Sequence, residues 1–444
     1  MRRLSVSAMH ASAPSSSHVS IAIEEAPEVS RFERIRRWLG TLVPGLITGA
    51  ANDDPCAIGT YAKAGATFGF SFLWTAPLTY PMMAATVYLC SKLSMVSGQG
   101  IAGVLREHYP RWVLHSMVFS LLIANVVEAG ADIGAIAASL RLFLPVPVTG
   151  ITIAITLLIL ITQALGSYRL LRKIFGWLAL ALFAYVASAI LAHPSATEAL
   201  RATIAPRLVF TKAHLAMLVA LIGTRLSPYM YFWQSSQTVE EQTLLGRSAK
   251  VSGEHLRSTA WDVNVGMLFS NLIMYFVILS TAATLFQNGQ TRLGTVWQAA
   301  QALRPLAGNT AGLLFAIGII GAGILAVPVL TTGPAHALAE IFGWKHGLAH
   351  APERAPEFYV VIALSTAVAI VIGLSGFNPI MALFWASVVM GLLTPPLMLI
   401  IMLATNNRSI MGDLVNGIWV NSLGWLTTVA VTLAAGALIW TWIR

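Results

Sequence analysis

Runs of about twenty apolar residues recur along this chain, and they leave little choice of fold. No water in a bilayer core can pair with backbone amides, so a spanning segment of that length must satisfy them within itself, as a helix does. Eleven such runs fall at about 42–70, 72–91, 113–143, 148–166, 174–193, 212–243, 262–286, 310–331, 358–376, 379–404 and 419–442. Segments one, three and six are over-long, as broken or tilted helices are. Only 10% of the residues are charged and the mean hydropathy is +0.74, against about 25% charged in soluble domains. The expectation is an all-α integral membrane protein with about eleven transmembrane helices.

The net charge of +9 would suit nucleic acid, but its distribution speaks for a bilayer. With the N-terminus inside, eighteen of the 27 Lys and Arg residues fall on the cytoplasmic side, the positive-inside pattern. An odd number of spans then puts the C-terminus outside, in a cell membrane. Residues 1–33 are rich in Ser and Ala, with no apolar core of signal-peptide length. They are expected to form a disordered cytoplasmic tail, with Arg31, Arg34, Arg36 and Arg37 meeting anionic headgroups. Residues 34–444 are read as one transmembrane domain. Cys56 and Cys90 both lie in apolar segments, with no disulfide framework or metal-cluster spacing.

Within the first apolar run stands Asp53-Asp54-Pro55-Cys56-Ala57. An acidic side chain at bilayer depth costs about 2.5–3.5 kcal/mol on insertion scales. Proline removes a donor and breaks the helix around it. A broken helix exposes two helix ends, and transporters build ion sites there. A second break, Thr224-Arg225-Leu226-Ser227-Pro228-Tyr229, lies in segment six. Four uninterrupted spans separate the two breaks. A unit of five spans is odd, so a second copy starting at segment six runs inverted. The repeats are expected at about 42–193 and 212–404, with an extra helix at about 419–442.

These residues resemble a known family. Gly45 to Trp74, with Asp54-Pro55-Cys56-Ala57 and then Ala64-Gly65-Ala66-Thr67-Phe68-Gly69, resembles the first helix of the NRAMP divalent-metal transporters, which carries a DPGN motif, AGA and an FG pair. Ser227-Pro228-Tyr229 falls where that family has Met-Pro-His. Thr405 to Gly412 resembles the loop after its tenth helix. The resemblance runs from about residue 40 to 440. It implies the LeuT-type fold of five-plus-five inverted repeats with helices 1 and 6 broken. It also implies a secondary transporter with no cofactor, whose divalent metal is substrate, and proton-coupled Mn²⁺ or Fe²⁺ uptake as the family norm.

The departures from the family matter as much. Asp54 is kept as the expected principal metal ligand. The family's Asn ligand is replaced by Ala57 and its Met ligand by Ser227. A thioether favours soft metals, while hydroxyl, carbonyl and water suit Mg²⁺ or Mn²⁺. The resemblance therefore leans toward Mg²⁺, which keeps several waters, with Mn²⁺ as runner-up. Thr224, Ser227 and Ala57 complete the expected site. Cys56, at the motif's Gly, is either a soft ligand or a small residue packed against helix six. The family's sixth-helix histidines map to Tyr229 and Gln234. In helix three its Asp maps to Asp132 and its Glu to Ala135. Groups that titrate near neutral pH are mostly gone, so proton coupling is not expected. Membrane potential suffices, since 100 mV is worth about 4.6 kcal/mol for two charges, roughly a thousandfold accumulation.

Asp53, Asp132, Glu128, Arg225, Tyr229, Gln234 and Ser387 are expected to support the site or its coupling. Arg225 would repel a cation unless paired, and Glu128 of helix three is its expected partner, because buried charges in spans pair. An amino-acid symporter of the same fold is a second class, using Arg225 or a helix end for a carboxylate. An intramembrane enzyme built on Asp53 and Asp54 is disfavoured, since adjacent helical residues point about 100° apart. The protein is expected to be a monomer, with lipid and a divalent ion as its partners and no nucleic acid.

Overall fold

The computed structural model describes residues 49, 52–141, 143–165, 182–206, 209–244, 251, 253–293, 298–299, 308, 311–348 and 351–443. The expected tail of residues 1–33, the arginine cluster after it and residues 42–48 of segment one lie outside the described residues.

The described residues are helical and follow the apolar runs. Asn52–Asp54 form a non-helical turn, and the chain enters α1 at Pro55–Phe68. Proline is tolerated at a first helical position, where its missing N–H would have no partner anyway. Asp54 caps the turn, its Oδ1 accepting from the Ala57 amide at 2.6 Å. Gly69, at φ 59°, ends α1 in a backbone that side chains avoid. There follow α2 (Thr75–Ser97), α3 (Ile101–His108), α4 (Arg111–Arg141) and α5 (Val148–Leu165). Next come α6 (Leu182–Leu191) and α7 (Ala196–Ile204). Segment six is two helices, α8 (Lys212–Arg225) and α9 (Pro228–Leu244). Then come α10 (Gly253–Thr281, running on through a π turn to Phe286), α11 (Ala311–Phe342), α12 (Pro356–Gly373), α13 (Pro379–Asn406), α14 (Arg408–Met411) and α15 (Ile418–Ile443). Seven helical spans among the described residues are long and apolar enough to cross a membrane, with α5 and α6 adding shorter apolar stretches. At 31 residues, α4 is about 46 Å long, more than a 30 Å core needs.

Burial separates the centre from the rim. The apolar window of Lys212–Thr243 is 94% buried, that of Ile418–Ile443 only 28%. Segment six is thus a core element, and α15 presents Trp419, Leu433 and Ile443 outward, as a lipid-facing helix does. The first break sits among α1, α4, α8 and α13, which pack on one another. Gly223 of α8 faces the Ser387 carbonyl and Gly391 of α13 so closely that no Cβ would fit. That contact holds the second break against α13.

The prolines free carbonyls, and polar side chains take them up. Pro334 has no N–H for the Leu330 carbonyl, which instead accepts from the Asn125 amide of α4 at 3.2 Å. Pro228 likewise frees the Thr224 carbonyl, which faces Ser227 Oγ at 3.0 Å and Asn52 Nδ2 at 3.5 Å. The second side chain comes from the other break, so the two breaks touch.

Candidate metal centre

Asp54 sits at the N-terminal end of α1, where free amides and the helix dipole favour an anion. Its Oδ1 is held by the Ala57 amide, and its Oδ2 accepts from the Tyr229 hydroxyl at 2.9 Å. Tyr229 is the second residue of α9, so one carboxylate bridges both breaks. From α4, Asp132 accepts the Cys56 amide at 3.0 Å through Oδ1. Its Oδ2 has no hydrogen-bond partner. Ligand atoms of Asp54, Cys56 and Asp132 lie within 4.8 Å of one another, all buried. Two carboxylates and a thiol can converge on one cation there. The thiol, open between two roles on sequence, faces the carboxylates.

Glu128 lies one turn before Asp132 on α4, fully buried, with neither carboxylate oxygen hydrogen-bonded. Its charged neighbours are Asp54 and Asp132, both acids. The expected pairing of Glu128 with Arg225 is not found. Arg225 donates from Nη2 to Asp53 Oδ1 at 2.6 Å, an ion pair with no solvent exposure on either side. Asp53 is nearer for a local reason: the Asn52–Asp54 turn points it away from Asp54's partners. The two acids do not form a dyad, because one faces a guanidinium and the other an amide and a phenol.

The remaining predicted residues divide. Ser227 turns its single proton toward the carbonyls of Gly223 at 2.8 Å and Thr224 at 3.0 Å, leaving oxygen lone pairs as its only offering to an ion. The Thr224 hydroxyl donates to Leu221 O at 3.0 Å, so a ligand from this residue would be its carbonyl. Ala57 contributes its amide to Asp54 and no side-chain donor. Ser387 meets Thr60 at 2.9 Å and ties α13 to α1. Gln234 donates to Ser91 of α2 at 3.0 Å, apart from the carboxylates. Sequence reasoning missed Asn52, Tyr61, Ser270 and Asn125. Asn52 and Tyr61 flank the motif and were legible as polar residues in an apolar run. Ser270 and Asn125 lie on other helices, and nothing in their spacing points to a break.

A membrane bundle with two helices interrupted side by side around a buried carboxylate is the architecture of a secondary transporter. Residues 45–441 match the model of the Nramp family, described as natural resistance-associated macrophage protein-like. The chain belongs to that family, which is one of transporters rather than enzymes. It is 27% identical over 410 residues to the divalent metal cation transporter MntH of Klebsiella pneumoniae, covering 90% of this chain and 94% of that one. Its fold is similar to the manganese transporter of Eremococcus coleocola, crystallised with an aromatic bis-isothiourea compound. The TM-score is 0.73 at 17% identity, over 93% of this chain and 88% of that chain. Mhp1, a nucleobase-cation-symport-1 family transporter, shares the fold more distantly, with a TM-score of 0.57 at 12% identity over 90% and 92% of the two chains. The fold is the LeuT type that the resemblance implied.

Proposed function

We propose that this protein carries a hard divalent cation across the membrane, Mg²⁺ first and Mn²⁺ second, through a site centred on Asp54. The carrying observation is the donor set. Asp54 and Asp132 converge, Ser227 offers oxygen where the family has a thioether, and among the described residues no imidazole joins the group. Oxygen ligands suit Mg²⁺ or Mn²⁺ better than softer metals. Glu128 adds a further negative charge beside the group.

Transport runs on membrane potential with little proton movement. The two positions that resemble the family's histidines hold Tyr229, whose phenol is engaged by Asp54, and Gln234, whose amide is engaged by Ser91. Residues 42–193 and 212–404 act as the inverted repeats, with the N-terminus inside, the C-terminus outside, and a monomer as the working unit. The symporter reading loses its support, because the guanidinium that would bind a carboxylate is occupied by Asp53.

Cys56 favours a second reading. Its sulfur lies with the two carboxylates, and a soft sulfur donor there would recruit a transition metal such as Fe²⁺, nearer the family norm than Mg²⁺. Competition uptake in proteoliposomes with Mg²⁺, Mn²⁺, Ca²⁺ and Cd²⁺ separates the two. Mg²⁺ uptake resistant to trace Cd²⁺ is the expected result. Cd²⁺ blocking at far lower concentration than Mg²⁺ overturns the hard-ion reading.

A further inference from the structure

Among the described residues Arg225 is the largest fully buried side chain. A guanidinium at that depth is expensive, and the ion site gains nothing from a fixed positive charge nearby. Its surroundings answer the question of what it does. Nη2 donates to Asp53 Oδ1 at 2.6 Å and faces the Asn52 carbonyl at 3.4 Å, while Nη1 donates to the Ser270 hydroxyl of α10 at 2.7 Å. The Tyr61 ring of α1 lies 4.9 Å from the guanidinium carbon, within cation–π range. A carboxylate, a carbonyl, a hydroxyl and an aromatic face thus enclose one cation. They come from the first break, α1 and α10, and the cation comes from the last residue of α8. The cation so enclosed is attached to the chain.

Place strengthens the argument. Arg225 ends α8, where the exposed carbonyls of a helix C-terminus favour a positive charge. Asp53 and Asn52 form the turn immediately before Asp54. The Asn52 amide in addition reaches the Thr224 carbonyl. The links to Asn52 and Asp53 therefore join one break to the other, across 172 or 173 residues of sequence.

We propose that Arg225 is a tethered counter-cation, a positioning residue whose caged guanidinium clamps the end of α8 onto the Asn52–Asp53 turn and so holds Asp54 in place for the carried ion. The proposal rests on the reading of the two breaks as the transport path, and not on which divalent ion is carried. It gives the molecule a built-in cation at the junction that a second, dissociable cation would otherwise have to fill.

The test is chemical rescue. Arg225→Ala empties the cage and leaves Asp53 unpaired. Uptake of Mg²⁺ or Mn²⁺ into proteoliposomes should fall about tenfold or more, as expected for breaking a buried pair. Millimolar guanidinium should restore a substantial part of the rate, and sodium or tetramethylammonium at the same ionic strength should not. Asp53→Asn should lose uptake without guanidinium rescue. Normal uptake by Arg225→Ala, or no guanidinium-specific gain, overturns the clamp. Should Arg225→Ala not fold, the neutral pair Asp53→Asn with Arg225→Gln removes both charges while keeping polar side chains at both positions. Wild-type uptake by that pair overturns the need for charge, and reduced uptake supports it. If the wild-type protein carries no divalent ion at all, the transport reading fails by itself. The clamp is then read from thermal unfolding of Arg225→Ala, where guanidinium should raise the midpoint and an unchanged midpoint overturns it.

Discussion

Asp53 and Asp54 are neighbours in sequence, equally buried, and put to opposite uses. Asp53 meets Arg225 at 2.6 Å, and with Ser270 beside them its charge is cancelled inside the fold. Asp54 meets an amide and a phenol, which orient a carboxylate without neutralising it. Around Asp54 stand Asp132 with one free oxygen and Glu128 with two. A buried charge normally pairs or binds metal. The first acid has taken the former course and is structure. Among the described residues the second group forms no ion pair with a Lys or Arg, and in the proposed function it receives a cation from outside. A motif alone, two aspartates before a proline, cannot make that distinction.

The contrast can be broken most severely at Asp54 itself. Asp54→Ala should lower divalent-ion uptake by more than about a hundredfold, beyond the 10–100-fold typical of groups that only support a ligand, with expression and thermal unfolding little changed. Uptake near wild type would erase the distinction between the two acids. Next come the unpaired acids of α4. Asp132→Asn and Glu128→Gln should each weaken metal binding by about tenfold or more, because each removes a negative charge beside a divalent ion. Isothermal titration of Mg²⁺ or Mn²⁺ into detergent-solubilised protein checks both, and unchanged affinity in Glu128→Gln would confine the site to Asp54, Cys56 and Asp132.

A smaller effect is expected at Tyr229. Tyr229→Phe deletes the hydrogen bond to Asp54 Oδ2 and should raise the KM for uptake several-fold, as losing about 1 kcal/mol of net hydrogen-bond energy does. Ser227→Met should leave Mg²⁺ uptake measurable while raising sensitivity to Cd²⁺ in competition assays, since it adds the soft donor the site lacks. The last expected effect is nil. Liposomes loaded with a pH-sensitive dye should show no internal acidification that tracks ion uptake, and a stoichiometric signal would redirect attention to Asp132 and Glu128 as proton carriers.

Much of the fold was legible because bilayer physics acts on single segments. A long apolar run must become a helix whatever its neighbours are, so the described helices follow the predicted runs closely. The breaks were legible for the same reason: Pro55 and Pro228 act on their own backbone. Asp54 was legible because a carboxylate at a broken helix end is costly unless used. Partner choice was not legible. Glu128 looked like the mate of Arg225 because both are charged and lie in spans, yet no sequence rule sets the angle at which the Asn52–Asp54 turn presents Asp53. Cys56 stayed ambiguous on sequence because a thiol packs as a small hydrophobe as readily as it binds.

By itself, then, the sequence determined a helical membrane bundle, two interruptions at matching places, and a set of acids and one arginine near them. Those follow from local hydropathy and local backbone chemistry. The tertiary structure alone decided which acid the arginine neutralises, which acids stand uncompensated, and that Asn52, Ser270 and Tyr61 close a cage around Arg225. A hydrogen-bonded ion pair needs its two groups within about 3 Å of each other, and the interior holds several acids that could supply the partner. Pairing is therefore settled by the packing of helices distant in sequence, which no single segment encodes.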